Sequence, residues 1–179
     1  MHILFVTTSS NAVRKTLQDL IGVNLSVIDC EAYACRSVGE MKASLLSEME
    51  TFIVNNGDID VLITYRCPFI IPKRIYSFAK QGAFNIHPSL LPKYQGMNPW
   101  EQVFKNNEHV SGVTIHHLSE EPDCGEIVLQ NTFYIESGES LNKARSKADI
   151  LAAKMVRCLF GGEMTNYGMI GLDLEKGEK

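Results

Sequence analysis

Two side chains that could do chemistry stand two positions apart, Asn85 and His87, in the run Asn85-Ile86-His87-Pro88-Ser89-Leu90-Leu91-Pro92-Lys93-Tyr94-Gln95-Gly96. An amide offers a hydrogen-bond donor, and an imidazole gains or loses a proton near neutral pH. On an extended chain, alternate residues point to the same side, so both groups face one way. Pro88 keeps His87 out of the helical region. Pro92 and Gly96 end the run as a rigid loop. The apolar Gly82-Ala83-Phe84 before it reads as a buried strand, and in an α/β protein a strand exit of this kind is where ligands bind. The bland reading stands beside this one: Asn is common where strands turn, and an isolated His near a strand end is more often a hydrogen-bonded structural residue.

A carboxylate comes from a second segment. Gly112 to Leu118 is a β-branched strand, Glu126 to Ile135 another, and Ser119-Glu120-Glu121-Pro122-Asp123-Cys124-Gly125 joins them. Pro122 and Gly125 make this a hairpin-type loop with Asp123 fixed near its tip. His116 and His117 alternate faces, so at most one looks into a site, and core or surface roles are expected for both.

These residues need a frame. Ile3 to Val6 is a short buried strand, and Thr7-Thr8-Ser9-Ser10-Asn11 a polar turn with several possible helix caps. Ala12 to Ile21 carries Val13, Leu17, Leu20 and Ile21 at helical spacing. Asn24 to Ile28 is a second strand, residues 29–40 are irregular, and Met41 to Val54 carries the stripe Leu45, Leu46, Met49 and Ile53. Gly57 closes that helix. Asp60 to Tyr65, apolar on both faces, is a central strand. Arg66-Cys67-Pro68-Phe69-Ile70-Ile71-Pro72 is an apolar loop that either packs under the short helix Lys73 to Lys80 or forms a flat wall for a ring-shaped ligand. Pro99 opens a helix through Lys105. A final helix after Ser140 carries Leu141, Ala144, Ala148, Leu151, Met155 and Leu159, and stops at Gly161-Gly162. Alternating strands and helices predict an α/β fold with a mainly parallel twisted sheet and helices on both faces. The domain is expected over 1–160, with 161–179 as a tail.

Composition narrows the class. A chain of 179 residues, 45% apolar and 21% charged, suits one domain. Its net charge of −4 and the lack of Lys/Arg runs give no reason to expect a nucleic-acid partner. Five cysteines without a Cys-x-x-Cys pair suggest reduced thiols in a cytoplasm and no metal site. No stretch approaches the ~20 apolar residues of a membrane span.

The two chemical segments together, Asn-x-His-x-Ser-Leu-Leu-Pro-x-Tyr-x-Gly and then Gly-Val-Thr-Ile-His with Asp-x-Gly-x-Ile, resemble the folate-dependent formyltransferases. That family includes glycinamide ribonucleotide transformylase, methionyl-tRNA formyltransferase and the amino-sugar N-formyltransferases. The resemblance is strong from about Pro68 to Gln130 and looser elsewhere. It implies a Rossmann-like formyltransferase fold, 10-formyltetrahydrofolate as co-substrate, and Asn85, His87 and Asp123 as the catalytic set. Asn85 and a protonated His87 would donate to the formyl oxygen, and Asp123 would orient His87 and take the proton of the attacking amine. It further implies folate contacts from Ile70, Ile71 and Ile75, from Ser89, Leu90, Leu91 and Pro92, and from Leu118, Ser119, Glu120, Glu121 and Pro122. Acceptor contacts would come from Ser10, Asn11 and Gly96.

Departures from the family bear on the acceptor. The loop 7–11 lacks the phosphate-binding glycines of the ribonucleotide enzymes, and only Ser10-Asn11 of their pattern is present. A barrel domain like that of the methionyl-tRNA enzymes is not expected. Gln95-Gly96-Met97-Asn98-Pro99-Trp100 resembles the amino-sugar and methionyl-tRNA branches. The expected acceptor is therefore a small-molecule amine, an amino sugar on a nucleotide. The alternatives are glycinamide ribonucleotide, methionyl-tRNA, or a catalytically silent folate-binding protein. Oligomeric state is left open.

Overall fold

In the computed structural model, which describes residues 1–8, 11–33, 37–57 and 59–161, a six-stranded sheet carries the fold. The strands are β1 (His2–Thr7), β2 (Asn24–Asp29), β3 (Val61–Tyr65), β4 (Ala83–His87), β5 (Val110–His117) and β6 (Ile127–Tyr134). The helices are α1 (Asn11–Gln18), α2 (Val38–Asn56), α3 (Lys73–Tyr76), α4 (Pro99–Lys105) and α5 (Leu141–Leu159). Strand order is β2-β1-β3-β4-β5-β6. β2, β1, β3 and β4 run parallel, and β5 and β6 complete the sheet antiparallel. From β1 the chain goes outward to β2 and returns on the other side to β3. That reversal opens a crevice at the carboxyl ends of β1 and β3.

Alternation along the strands sorts the core into two layers. Ile3 and Phe5 of β1 and Val61, Ile63 and Tyr65 of β3 meet α1 and α5, through Val13, Leu17, Ala144 and Ala148. Leu4, Val6 and Leu62 face the other way, onto Leu45, Met49 and Ile53 of α2 and Ile75 of α3. All five residues of β3 are buried, as a central strand covered on both faces requires. Each of Val61, Leu62 and Ile63 contributes about 1.5–3 kcal/mol of burial free energy.

Helix boundaries depart from expectation for local reasons. α2 starts at Val38, three residues early, because Ser37 and Glu40 form a reciprocal capping box. α1 ends at Gln18, so Ile21 is fully exposed and Leu20 only partly buried against the core. Gly22, with φ +75°, then turns the chain toward β2. α3 is a single turn, followed by an irregular turn through Ala79. The tail from residue 162 lies outside the described residues, as do Ser10 and Cys35.

Candidate active site

β4 delivers the amide and the imidazole, and β5 pairs antiparallel beside it with Asn85 opposite His116 and His87 opposite Thr114. The β5–β6 loop then brings Asp123 back over the pair. Two features hold that loop down. Gly125 lies so close to β5 that a Cβ there would sit 1.8 Å from the His117 carbonyl oxygen. Asp123 itself takes a left-handed φ of 55°, which a short polar residue tolerates better than most. The Gly96 N–H donates to Asp123 Oδ2 at 2.8 Å, and Gln95 Nε2 donates to the Asp123 carbonyl at 3.2 Å.

The polar atoms fix one another's roles. A carboxylate only accepts, so the Asn85 atom 3.2 Å from Asp123 Oδ1 is the donor Nδ2. Asn85 Oδ1 then faces the Thr64 hydroxyl at 2.8 Å. His87 Nε2 lies 2.8 Å from the Tyr94 carbonyl, which can only accept, so this nitrogen carries hydrogen. His87 Nδ1 is left facing Asp123 Oδ2 at 3.5 Å. His116 Nδ1 likewise donates to the His117 carbonyl at 2.9 Å. Its Nε2 reaches Asn85 Nδ2 at 3.1 Å and Asp123 Oδ1 at 3.4 Å.

Burial of His87, 4% exposed, pushes its imidazole below the ordinary range, against the upward pull of Asp123 and the Tyr94 carbonyl. The resting ring is therefore neutral at pH 7, with an acceptor nitrogen toward Asp123. Burial pushes the Asp123 carboxyl up, but the His116 contact, the electrostatic pull of the nearby His87 and the Gly96 N–H outweigh it and hold it below the usual carboxylate range. Asp123 is thus an anion between two imidazoles, each able to donate to it once protonated.

These groups border a cavity of about 580 Å³ at the ends of β1, β3 and β4. Pterin-sized ligands fit such a volume. One wall is apolar: Phe69, Ile70, Ile71, Leu118 and Pro122. Ile70 is 54% exposed, whereas Ile71 is 3% exposed and anchored in the α2 layer.

Of the residues expected in the site, Asn85, His87, Asp123, Ile70, Ile71, Leu118, Ser119, Pro122 and Gly96 line this cavity. Others do not. Ile75 is fully buried behind Ile71 in the core. Ser89, Leu90, Leu91 and Pro92 brace the loop from the other side. The Ser89 hydroxyl donates to the Lys93 carbonyl, the Leu91 N–H to Thr114 Oγ1, and Gln130 Nε2 to the Leu91 carbonyl, while Leu90 packs against Gly112. Glu120 points to solvent in an ion pair with Lys73 at 3.0 Å, and Glu121 is exposed outside the cavity. Asn11 borders a separate surface hollow with Arg14 and Lys15.

Sequence reasoning missed His116, expected in a core or surface role, although its pairing register with Asn85 on β4 would have placed it. It also passed over Thr64 and Arg145, which line the cavity from β3 and α5. Among the described residues, no group of three His, Cys, Asp or Glu is arranged to hold a metal, and no helix is long and apolar enough to cross a membrane.

Methionyl-tRNA formyltransferase of Thermotoga neapolitana is 38% identical over 97 residues, covering 54% of this chain and 31% of that protein. The enzyme of the same name from Borreliella burgdorferi is 29% identical over 153 residues, 86% of this chain and 48% of that protein. The chain thus spans half or less of the length of these relatives. Among solved structures, phosphoribosylglycinamide formyltransferase of Coxiella burnetii superposes with a TM-score of 0.68 at 18% identity, over 89% of this chain and 84% of that one. A Mycobacterium tuberculosis protein described as a candidate sugar N-formyltransferase gives 0.67 at 21% identity, over 89% and 66%. These neighbours share the fold. The family model for formyl transferases matches residues 2–156, and the chain belongs to the formyl transferase family.

Proposed function

We propose that the protein is an N-formyltransferase that moves a formyl group from 10-formyltetrahydrofolate to a primary amine. The observation that carries this reading is Asp123, bound between His87, His116 and Asn85 at one side of a cavity whose wall is apolar. The folate's pterin would lie against Ile70, Ile71, Leu118 and Pro122, and would supply the formyl carbon. The amine nitrogen bonds to that carbon while the bond from the carbon to the folate nitrogen breaks. Negative charge develops on the formyl oxygen, and Asn85 Nδ2, released from Asp123, donates to it. Removing one such donor typically costs about 2.7–4 kcal/mol of barrier stabilisation. The amine's proton passes to the Asp123–His87 pair, where the neutral Nδ1 of His87 accepts it, and returns to the departing folate nitrogen. The products are the formylated amine and tetrahydrofolate.

For the acceptor, the reading is an amino sugar on a nucleotide. The net charge of −4 gives no long-range attraction to tRNA, and the segment Gln95 to Trp100 resembles the amino-sugar and methionyl-tRNA branches rather than the ribonucleotide one. The test is a formylation screen with 10-formyltetrahydrofolate against amino-sugar nucleotides, glycinamide ribonucleotide and methionyl-tRNA. Turnover of an amino-sugar nucleotide is expected. Efficient turnover of either other acceptor alone overturns the acceptor, and folate binding without any turnover overturns the enzymatic reading.

A further inference from the structure

The cavity is asymmetric in charge, and the asymmetry has no use within the chain. Two arginines border it, Arg66 and Arg145, and no lysine does. Arg66 is already answered: its Nη2 lies 2.9 Å from Asp149 Oδ1, which also accepts from the Tyr65 hydroxyl at 2.6 Å. The Arg145 side chain, half-buried on α5, forms no ion pair or hydrogen bond among the described residues. A partly buried cation without an anion is costly to keep. On the same side, Trp100 also borders the cavity, 4% exposed, and its buried Nε1 donates to nothing among the described residues.

Position separates these donors from the apolar wall. Trp100 and the flanking Ala144 and Ala148 of α5 belong to the core layer shared with α1, whereas Ile71 and Leu118 belong to the layer shared with α2. The two walls therefore come from opposite faces of the sheet, with Asn85, His87 and Asp123 at the strand ends between them. A ring held on the apolar wall leaves the Arg145 side for the other substrate.

Resting on the formyltransferase reading, we propose that the acceptor is anionic and that Arg145 is its specificity residue, pairing with a phosphate oxygen of the acceptor. A guanidinium presents parallel N–H donors to two oxygens of one phosphate, which gives orientation as well as attraction. The amine would then be held at a fixed reach from the charge, beside Asp123.

The experiment is calorimetric titration of the whole chain with uridine diphosphate, with pyrophosphate and, separately, with 5-formyltetrahydrofolate. Arg145→Ala should weaken uridine diphosphate and pyrophosphate at least tenfold and leave the folate within twofold, and Arg145→Lys should recover part of the loss. Unchanged anion affinity in Arg145→Ala overturns the proposal. So does a parallel fall in folate affinity, which would place the folate's own glutamate carboxylates on Arg145. Wild-type protein that binds folate but neither anion defeats this inference alone. Wild-type protein that binds the anions but no folate defeats the formyltransferase reading and leaves Arg145 as an anion site.

Discussion

Asn85 on β4 and His116 on β5 stand opposite each other in the antiparallel ladder, and their side chains meet, Nδ2 to Nε2, at 3.1 Å. Asp123 Oδ1 closes a triangle with them at 3.2 and 3.4 Å. With its Nδ1 donating to the His117 carbonyl, His116 accepts from Asn85 at Nε2 and is a positioning residue for the amide. A buried donor left without its partner costs about 1–3 kcal/mol. His116→Ala should accordingly lower kcat roughly 10- to 100-fold, with the KM for folate within twofold. His116→Gln, whose amide oxygen can still accept from Asn85, should recover part of the rate. Equal losses in both variants, together with a lower melting temperature, would mean that His116 serves packing alone.

Much of this frame is readable in the sequence because it is local. Alternation makes β1 and β3 strands, Pro99 opens α4, and Pro88 holds β4 extended beyond Asn85. What escapes is register. That His116 rather than His117 faces Asn85 depends on which residues of β4 and β5 pair, and a slip of one residue exchanges the two. The direction of the loop 89–92 escapes for a related reason. Ser89 and Leu91 are bonded to Thr114 and Gln130 from distant strands, and no local pattern signals that the loop turns away from the cavity. Arg145 occupies an ordinary position on a helix and joins the cavity through the packing of α5 on α1.

Neighbouring isoleucines should respond to the same substitution in different ways. Ile70 is 54% exposed on the cavity wall and Ile71 is 3% exposed in the core. Ile70→Asp should raise the folate dissociation constant at least tenfold and leave the melting temperature nearly unchanged. Ile71→Asp should lower the melting temperature by several degrees, because a carboxylate there is buried without a partner. Calorimetry and thermal unfolding of both variants separate the cases. An Ile70→Asp protein with wild-type folate affinity would remove this wall from the folate site.

Gly125 sets how far Asp123 reaches. A Cβ 1.8 Å from the His117 carbonyl oxygen cannot be accommodated without moving backbone. Gly125→Ala should therefore displace the loop, lowering kcat by at least tenfold, while the bulk of the sheet melts within a few degrees of wild type. Amide exchange should rise at Cys124 through Glu126. Wild-type kcat in this variant would show that Asp123 keeps its place without the close approach.

The pH dependence follows from two shifted groups. Burial pulls the folded His87 below its ordinary 6.5, so between 6.5 and the folded value the unfolded chain binds a proton that the folded chain does not. His87 therefore takes stability away as pH falls below 6.5. Asp123 is held below its ordinary 3.8, so its contribution is present above that value and is lost as pH falls through the folded value. Both act in the same direction, and His87→Gln should flatten the upper part of the acid loss in a series of melting curves. Activity adds a second reading. If neutral His87 accepts the proton, kcat/KM falls on the acid side with an apparent pKa below 6.5. The Asp123 charge pulls His87 up, so Asp123→Asn should move the His87 titration, followed by its imidazole proton resonances, to lower pH. A move to higher pH would mean that Asp123 does not act on His87 in this way, and the proton path proposed for the reaction would fail with it.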